Sequence, residues 1–293
     1  MARLPLARRL RYAGEATALV LAYGIFRALP IDLASGLGGW LGRCIGPRLG
    51  LSRRARRNLG LAMPGLSPAE VDRIVVEMWD NLGRSVGEVP HVPALDPFDG
   101  SGRIEVLGLD HLEAAKAAGG AIFFSGHFAN WELMPAMAHR HGLELELIYR
   151  AANNPFAETM LRRLRIGRLH PKGQKGARLA VTALKEGRPI GLLADQKMND
   201  GIAVPFFGRP AMTAPALAEL ARKFHAPIYP IRTERLDGAR FRITVMAPFA
   251  VKETADRRAD VAEGMRRVNA ILEEWIRSKP AQWLWLHRRW PES

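Results

Sequence analysis

The sequence predicts an α/β fold in which a central sheet is flanked by helices and is preceded by a helical N-terminal segment. From residue 104 onward, short apolar runs alternate with longer amphipathic stretches. Strands that alternate with helices of about 10–15 residues are typical of a sheet with helices packed on it. Before residue 100 the apolar residues recur at helical spacing, which indicates a region built from helices.

The individual elements follow from these patterns. The candidate strands are the apolar runs at residues 104–107, 121–125, 145–150, 189–194, 203–207, 228–232 and 241–246. The candidate helices between and after them cover residues 109–118, 131–141, 156–165, 176–186, 213–224 and 256–278. In the last helix the apolar side chains recur every three or four residues, from Val261 to Trp275.

The charge of the chain indicates an anionic partner. There are 43 Lys and Arg residues against 29 Asp and Glu residues, a formal net charge of +14. Nucleic acid, acidic lipid headgroups and an acidic protein would each match this excess. The sequence has neither a zinc-finger spacing nor the aromatic block of an RNA-recognition motif, so nucleic acid is not expected. The single Cys44 excludes an internal disulfide and a cysteine-based zinc site.

The N-terminal segment indicates membrane association. A mostly apolar stretch at residues 13–45 follows the basic residues Arg3, Arg8, Arg9 and Arg11. Its cleanest run, residues 16–26, is shorter than the roughly 20 residues that a helix needs to cross a bilayer. We therefore expect an interfacial anchor, with a tilted signal-anchor helix as the alternative. Basic residues on both sides favour the cytoplasmic face of the membrane.

A proline-rich linker follows the helical region. Ser67 and Glu70 form a capping-box pattern ahead of a helical stretch at residues 71–82. Residues 90–97 contain three prolines, which interrupt helices and strands alike. We therefore predict a helical, membrane-associating region at residues 1–97 and an α/β domain at residues 98–293.

His127 and Glu132 are the residues that most clearly indicate chemistry. His127 follows the buried run and its Gly126 turn, at the start of a helical stretch. Residues five apart lie about 140° apart around a helix, so the two side chains meet only if His127 precedes the first turn. A carboxylate on one imidazole nitrogen makes the other nitrogen a better base. We expect Glu132 to orient His127, which would take the proton of a substrate hydroxyl.

Three other functions fit parts of this pattern. A serine hydrolase would use Ser125 as its nucleophile, but the sequence lacks the Gly-x-Ser-x-Gly elbow. A metal enzyme would need more ligands, and His139 and His141 lie at the far end of the helix, so no metal is expected. A non-enzymatic membrane scaffold would explain the charge, but not the His127/Glu132 pair.

The spacing His127-x4-Glu132 after a buried strand resembles the motif of the glycerolipid acyltransferase superfamily. Further blocks, in family order across residues 30–290, resemble its lipid A branch, the late acyltransferases of lauroyl and myristoyl type. These blocks are Tyr149-Arg150-x-x-Asn153-Asn154-Pro155, the strand that ends in Asp195-Gln196, Val204-Pro-Phe-Phe-Gly208 followed by Thr213, and Trp283-Leu-Trp-Leu-His287-Arg288-Arg289.

The resemblance implies a mixed sheet flanked by helices and an O-acyltransferase of lipid A biosynthesis. Such an enzyme moves a fatty acyl chain from an acyl-carrier-protein thioester to a hydroxyl of a lipid A precursor, without a cofactor. The resemblance also implies His127 as the general base and Glu132 as its partner. It implies the cytoplasmic face of the bacterial inner membrane as the location. Transfer to another glycolipid or a lysophospholipid stays open, as does a serine-type lipid hydrolase.

Several further residues are candidates for substrate binding. Arg150 and the N–H groups of the helix start after Gly126 are candidate donors to the oxyanion. Asn153 and Asn154 are weaker candidates. Asp195 and Gln196 follow a strand at the edge where ligands bind in open α/β sheets.

A dense group of basic residues and a set of aromatic residues complete the candidates. The basic residues between 162 and 178 have no Asp or Glu nearby in sequence, so we expect them to hold an anionic group of a substrate, with Arg162, Arg163 and Arg165 as the candidates. An acyl groove, the membrane interface and the protein core are the three alternatives for Phe206, Phe207, Trp283, Trp285 and Trp290.

Overall fold

A mixed sheet lies at the centre of the protein, and helices cover both of its faces. The computed structural model describes residues 5–152 and 154–290. Arg3 and Asn153 lie outside the described residues. The strands are β1 (Ile104–Leu107), β2 (Ile122–Ser125), β3 (Glu146–Tyr149), β4 (Arg168–Pro171), β5 (Ile190–Leu193), β6 (Lys197–Phe206), β7 (Arg209–Thr213), β8 (Ile228–Asp237) and β9 (Arg240–Val245).

Seven of these strands form the central sheet, in the order β1-β9-β8-β2-β5-β3-β4. All neighbouring strands in it are parallel except β8 and β9, which form an antiparallel pair. β6 and β7 form a separate two-stranded hairpin. The predicted α/β fold with a mixed central sheet is therefore confirmed.

Helices lie between or after these strands along the chain. They are α5 (Leu109–Ala118), α6 (Leu133–Arg140), α7 (Pro155–Leu164), α8 (Gln174–Lys185), α9 (Ala216–Phe224) and α10 (Arg257–Ser278). Strand β2 shows why the sheet needs helices on both sides, since all four of its residues are buried. Ile122 and Phe124 belong to one hydrophobic cluster and Phe123 to the other. An uninterrupted apolar strand is typical of parallel sheets that are covered on both faces.

Most predicted elements are confirmed to within a few residues, and α5 has the predicted bounds. Two strands were missed. β4 has the sequence Arg-Leu-His-Pro at the edge of the sheet, so it lacks the apolar run of an interior strand. β7 contains a proline and pairs only within its hairpin. Edge and hairpin strands tolerate polar residues and proline, which removes the usual sequence signal.

The N-terminal region is helical, as predicted. It comprises α1 (Leu6–Ala28), α2 (Ile31–Ile45), the 3₁₀ turn Gly46–Arg48, α3 (Leu51–Ala62) and α4 (Pro68–Glu88). The predicted capping box is present at the start of α4, where Glu70 and Ser67 satisfy each other's backbone N–H groups. Buried residues of α3 and α4 belong to the same hydrophobic cluster as one face of the sheet. The division near residue 97 stays a prediction.

Within the described residues, no helix combines the length and the hydropathy that crossing a bilayer requires.

Helices α2 and α4 approach each other through glycines. A Cβ added at Gly38 would lie 2.2 Å from the backbone oxygen of Gly83, and one added at Gly83 would lie 2.1 Å from that of Gly38. Similar approaches occur at Gly42 and Gly87. Two helix backbones can come this close only where side chains are missing.

We expect Gly38→Ala to destabilise the protein by about 1–3 kcal/mol, because the added methyl forces α2 and α4 apart. Gly36→Ala on the same helix is the matched control. Its Cβ would have no neighbour within 4 Å, so the substitution should stabilise by about 0.5–1 kcal/mol through the loss of backbone freedom in the unfolded chain. Denaturant unfolding of both variants measures the difference. Equal effects would show that the glycine contact does not set the spacing of the helices.

Candidate active site

Two neighbouring strands place the central pair of the site. β2 and β5 are parallel and adjacent, with Ser125 opposite Leu193. The chain leaves both strands at the same edge of the sheet, and His127 and Asp195 each follow two residues later. This is the carboxyl edge, where ligands bind in open α/β sheets.

Asp195 holds His127 through two contacts. The Asp195 Oδ1 lies 2.8 Å from Nδ1 of the imidazole, and Oδ2 accepts a hydrogen bond of 2.7 Å from the backbone N–H of His127. A third donor, the indole Nε1 of Trp283, lies 2.8 Å from Oδ2. The carboxylate is fully buried. Burial alone would raise its pKa, but the charge and hydrogen bonds of His127 outweigh burial and hold the pKa well below its usual range.

This arrangement leaves the second imidazole nitrogen available as a base. With the Nδ1 proton directed at a carboxylate, the lone pair of His127 resides on Nε2. The amide nitrogen of Gln196 lies 3.3 Å from this Nε2. A substrate hydroxyl that gives its proton to His127 must therefore come to the position that the Gln196 amide now holds.

The predicted contact between Glu132 and the imidazole is not the contact that forms. The Glu132 carboxylate accepts from Arg165, at 2.7 Å from Nη2 and 3.1 Å from Nε. Asp195 reaches the imidazole instead, 68 residues further along the chain. The reason is topological, because β5 lies beside β2 in the sheet and delivers its carboxylate directly to the histidine. Sequence spacing within one segment cannot reveal such a partner.

The loop that carries His127 is held from two sides. The C-terminal segment pairs with it, as Ala129 N–H donates to Gln282 and Leu284 N–H donates to the His127 carbonyl. Helix α4 holds the other side through Ser85, whose Oγ donates to the Ala129 carbonyl. Ala129 itself has a positive φ of 44°, a costly conformation for a residue with a side chain. These contacts keep the strained turn in place.

A second histidine lies against the first. The rings of His127 and His287 are 4.6 Å apart at 62°. The His287 Nε2 is shielded from solvent and has no hydrogen-bond partner in the described part of the chain. Burial lowers the pKa of His287 to about 4, and the charges of His127, Arg289 and Arg150 act in the same direction. His287 is therefore neutral near pH 7. The only sequence signal for His287 is its place in the C-terminal family block, because no local pattern marks a histidine near the C-terminus as a neighbour of His127.

His127, Asp195 and His287 offer potential metal-ligand atoms within 4.8 Å of one another. Both oxygens of Asp195 already accept hydrogen bonds from His127 and Trp283. These three hydrogen bonds occupy all but about one of the four lone-pair positions of the carboxylate, so a cation would compete with those donors. The arrangement fits a hydrogen-bonded pair better than a metal site, and the absence of a metal stays a prediction.

Two of the remaining candidates, Arg150 and Asn154, lie in different environments. Arg150 is exposed and close enough to His287 to act on its charge. Asn154 is buried, with its Nδ2 on the carbonyl of Tyr12 and on Glu15 and its Oδ1 capping the N–H of Phe156. The polar atoms of Asn154 are thus used inside the protein, so its proposed contact with substrate is not supported.

Two of the basic residues between 162 and 178 have acidic partners, contrary to the expectation for those two. Arg165 pairs with Glu132 and lies 5.5 Å from the centre of the Tyr149 ring. Arg168 pairs with the buried Glu146, which also contacts Arg188. The carboxylates come from other strands and loops, so sequence neighbours could not show them. Arg162 and Arg163 are exposed on α7.

The aromatic candidates belong to the core. Relative exposure is 7% at Phe207 and lower at the other four, Phe206, Trp283, Trp285 and Trp290. Phe206 stacks on Trp290, with ring centres 5.6 Å apart. Of the three alternatives for these residues, core packing is the correct one.

Comparison with known proteins assigns the family. The family described as "Bacterial lipid A biosynthesis acyltransferase" matches residues 1–292. The chain belongs to this family. Relatives include a lipid A biosynthesis lauroyltransferase of Escherichia coli, 29% identical over 82% of this chain and 79% of the relative. A lipid A biosynthesis acyltransferase of Haemophilus influenzae is 22% identical over 88% and 81%. A phosphatidylinositol mannoside acyltransferase of Mycolicibacterium smegmatis is 29% identical over 78% of each chain.

Among solved structures, the 1-acyl-sn-glycerophosphate acyltransferase of Thermotoga maritima aligns with 85% of this chain and 100% of its own, at 12% identity. The TM-score of this alignment is 0.39. The family match shows that the protein is an acyltransferase, as the resemblance implied.

The neutral state of His287 makes stability depend on pH. Its pKa is lowered to about 4 in the folded protein from 6.5, so between these values the unfolded chain binds more protons than the folded one. Stability should therefore fall by about 2 kcal/mol from pH 7 to pH 5 through this group alone. His287→Phe should remove this part of the decline, whereas the exposed His139→Phe should not. Urea unfolding at the two pH values measures it, and equal slopes in all three proteins would contradict the assignment.

Proposed function

We propose that this acyltransferase moves a fatty acyl chain from an acyl-carrier-protein thioester to a hydroxyl of a lipid A precursor. The observation that carries the proposal is the His127–Asp195 pair, with Nε2 of the imidazole directed to the carboxyl edge of the sheet. Membership of the lipid A biosynthesis acyltransferase family supports the acceptor class.

The chemistry needs no protein nucleophile. His127 Nε2 takes the proton of the acceptor hydroxyl while its oxygen attacks the thioester carbonyl carbon. The tetrahedral intermediate then collapses, the C–S bond breaks, and the imidazolium returns its proton to the leaving sulfur. Asp195 stabilises the imidazolium between these two transfers. The products are an ester and the free carrier thiol.

The other site residues have supporting roles in this proposal. Arg150 and the N–H groups at the start of α6 are the candidate donors to the oxyanion. Glu132 holds Arg165 beside the site, since the pair is bidentate and partly buried. Ser125, the nucleophile of the hydrolase alternative, is buried. Its position disfavours that alternative.

A second acceptor class has direct support. The relatives include phosphatidylinositol mannoside acyltransferases at 27–29% identity, as similar as the E. coli lipid A enzymes. Acylation of another glycolipid by the same pair of residues is therefore the second candidate. Both acceptors are anionic, and the exposed Arg162 and Arg163 on α7 are proposed to attract the acceptor or the acidic carrier protein.

We further propose that the N-terminal helices bind an anionic membrane, the inner membrane of a bacterium at its cytoplasmic face. Large apolar side chains are exposed at Leu10, Val20, Leu21 and Ile25 of α1 and at Leu33, Trp40 and Ile45 of α2. Exposed apolar side chains flanked by arginines on neighbouring helices are typical of interfacial helices.

The role of the His127–Asp195 pair is tested by measuring acyl transfer from a carrier-protein thioester, with the product identified by mass spectrometry. His127→Ala should abolish turnover, and Asp195→Asn should reduce kcat by about 10²–10⁴-fold, because the neutral amide cannot stabilise the imidazolium. Glu132→Gln should cost less than Asp195→Asn, since Glu132 contacts Arg165 rather than the imidazole.

His139→Ala is the control for the loss of an exposed histidine. A chelator should leave turnover unchanged. If Glu132→Gln proved more damaging than Asp195→Asn, the assignment of Asp195 as the partner of His127 would be wrong. Parallel assays with coenzyme A thioesters and with a mannosylated phosphoinositide would show whether donor or acceptor has been misassigned.

Membrane binding is tested by sedimentation with vesicles that contain anionic lipid. Replacing Leu21 and Ile25 together by Glu should weaken binding at least tenfold, because inserting two apolar side chains of this size into the membrane contributes about 3–6 kcal/mol. Leu236→Glu, at an exposed apolar position at the end of β8, is the control. Undiminished binding of the double variant would move the proposed anchor elsewhere.

A further inference from the structure

We propose that Trp283 is a positioning residue for the reaction, because its indole N–H fixes the Asp195 carboxylate in the orientation that serves His127. The inference rests on the proposed acyl transfer only for its kinetic consequence. The interaction itself is geometric and does not depend on the identity of the substrates.

The carboxylate of Asp195 needs more than His127 to hold its plane. Oδ1 faces the imidazole Nδ1, while Oδ2 accepts from the backbone N–H of His127 at 2.7 Å and from Trp283 Nε1 at 2.8 Å. Asp195 has zero exposure, so water cannot replace a missing donor. Trp283 thus supplies the one side-chain hydrogen bond that Oδ2 receives among the described residues.

Trp283 is itself held firmly in place. It has zero exposure, its ring meets that of Trp285 edge to face at 4.7 Å, and Phe128 pairs with it in an antiparallel bridge. The flanking residues Gln282 and Leu284 make the backbone bonds to Ala129 and His127. A single short segment therefore fixes both members of the pair, His127 through its backbone and Asp195 through an indole.

Loss of the hydrogen bond from Trp283 should change the His127–Asp195 pair in one direction. A buried carboxylate that loses a donor concentrates its negative charge on the remaining contacts. The imidazolium form of the pair is then favoured, and its orientation becomes less restricted. Turnover should fall because the geometry is looser, while the protonation of the base should occur at higher pH.

Other charges around the pair stay the same when Trp283 is changed. The titratable and charged groups near the His127–Asp195 pair are His287 and Arg289 of the C-terminal segment and Arg150 after β3. None of these groups is hydrogen-bonded to Trp283 through a side chain.

The test compares Trp283→Phe with Trp285→Phe. Both positions have zero exposure, both substitutions remove the same volume from the same segment, and both remove an indole donor. The Trp285 donor goes to the carbonyl of Pro280 at 2.8 Å, away from the pair. The two variants therefore differ in whether the lost hydrogen bond ends on Asp195.

We expect Trp283→Phe to lower kcat by about tenfold with KM within about twofold, and to move the acid limb of the kcat/KM profile to higher pH by about half a unit or more. Trp285→Phe should leave the acid limb in place. A merely structural role for Trp283 would give both variants the same pH profile and would overturn the proposal.

A second readout needs no turnover. In protein labelled with ¹⁵N-histidine, the ring-nitrogen titration of His127, assigned by its loss in His127→Ala, should shift upward in Trp283→Phe and not in Trp285→Phe. An unshifted titration would contradict the proposal even if the substrates were wrongly chosen. Absence of transfer by the wild type, together with a shifted titration, would instead reject the proposed function and keep the positioning role.

Discussion

The candidate active site depends on one buried carboxylate. Asp195 carries a negative charge at a position with no access to water, and such a charge is stable only when donors surround it. Three hydrogen bonds provide them: two come from His127 and one from Trp283. The same bonds determine which imidazole nitrogen carries the proton. The stabilisation of the carboxylate charge and the choice of the unprotonated imidazole nitrogen therefore depend on the same hydrogen bonds.

A second buried charge fixes the surroundings of this pair. Glu88, at the end of α4, has zero exposure and binds Arg235 of β8 through both carboxylate oxygens. The same carboxylate accepts from Ser35 of α2 at 2.7 Å and from Asn130, in the loop that carries His127, at 3.0 Å. A buried ion pair with satisfied hydrogen bonds gives little net stability. Removing one partner is nevertheless strongly destabilising, because it leaves the other charge buried and unpaired. Helices α2 and α4, the sheet and the loop are thereby joined at one point.

The fold could be predicted from the sequence because its local hydrophobic and capping patterns are strong. The apolar run that became β2 and the capping box of α4 were both visible within a few residues. His127 was identified because it follows such a run directly. Its partner was not, because the contact with Asp195 spans 68 residues and depends on β5 lying next to β2. Glu132 was the nearest carboxylate in sequence, but the nearest in space comes from the neighbouring strand.

The same reasoning explains the error about the basic residues. Counting charges along residues 162–178 suggested unrelieved repulsion, whereas Arg165 and Arg168 find Glu132 and Glu146 on other elements. Arg165 is therefore tied to the loop that follows β2, whereas Arg168 and Glu146 lie at the amino ends of β4 and β3, at the opposite edge of the sheet from His127. Besides Arg168, the exposed basic residues of this range are Arg162 and Arg163 on α7 and Lys172, Lys175 and Arg178 further along the chain. In the proposed function, the exposed arginines of α7 attract an anionic substrate and His127 at the sheet edge transfers the proton, so charge recognition and proton transfer are assigned to different residues.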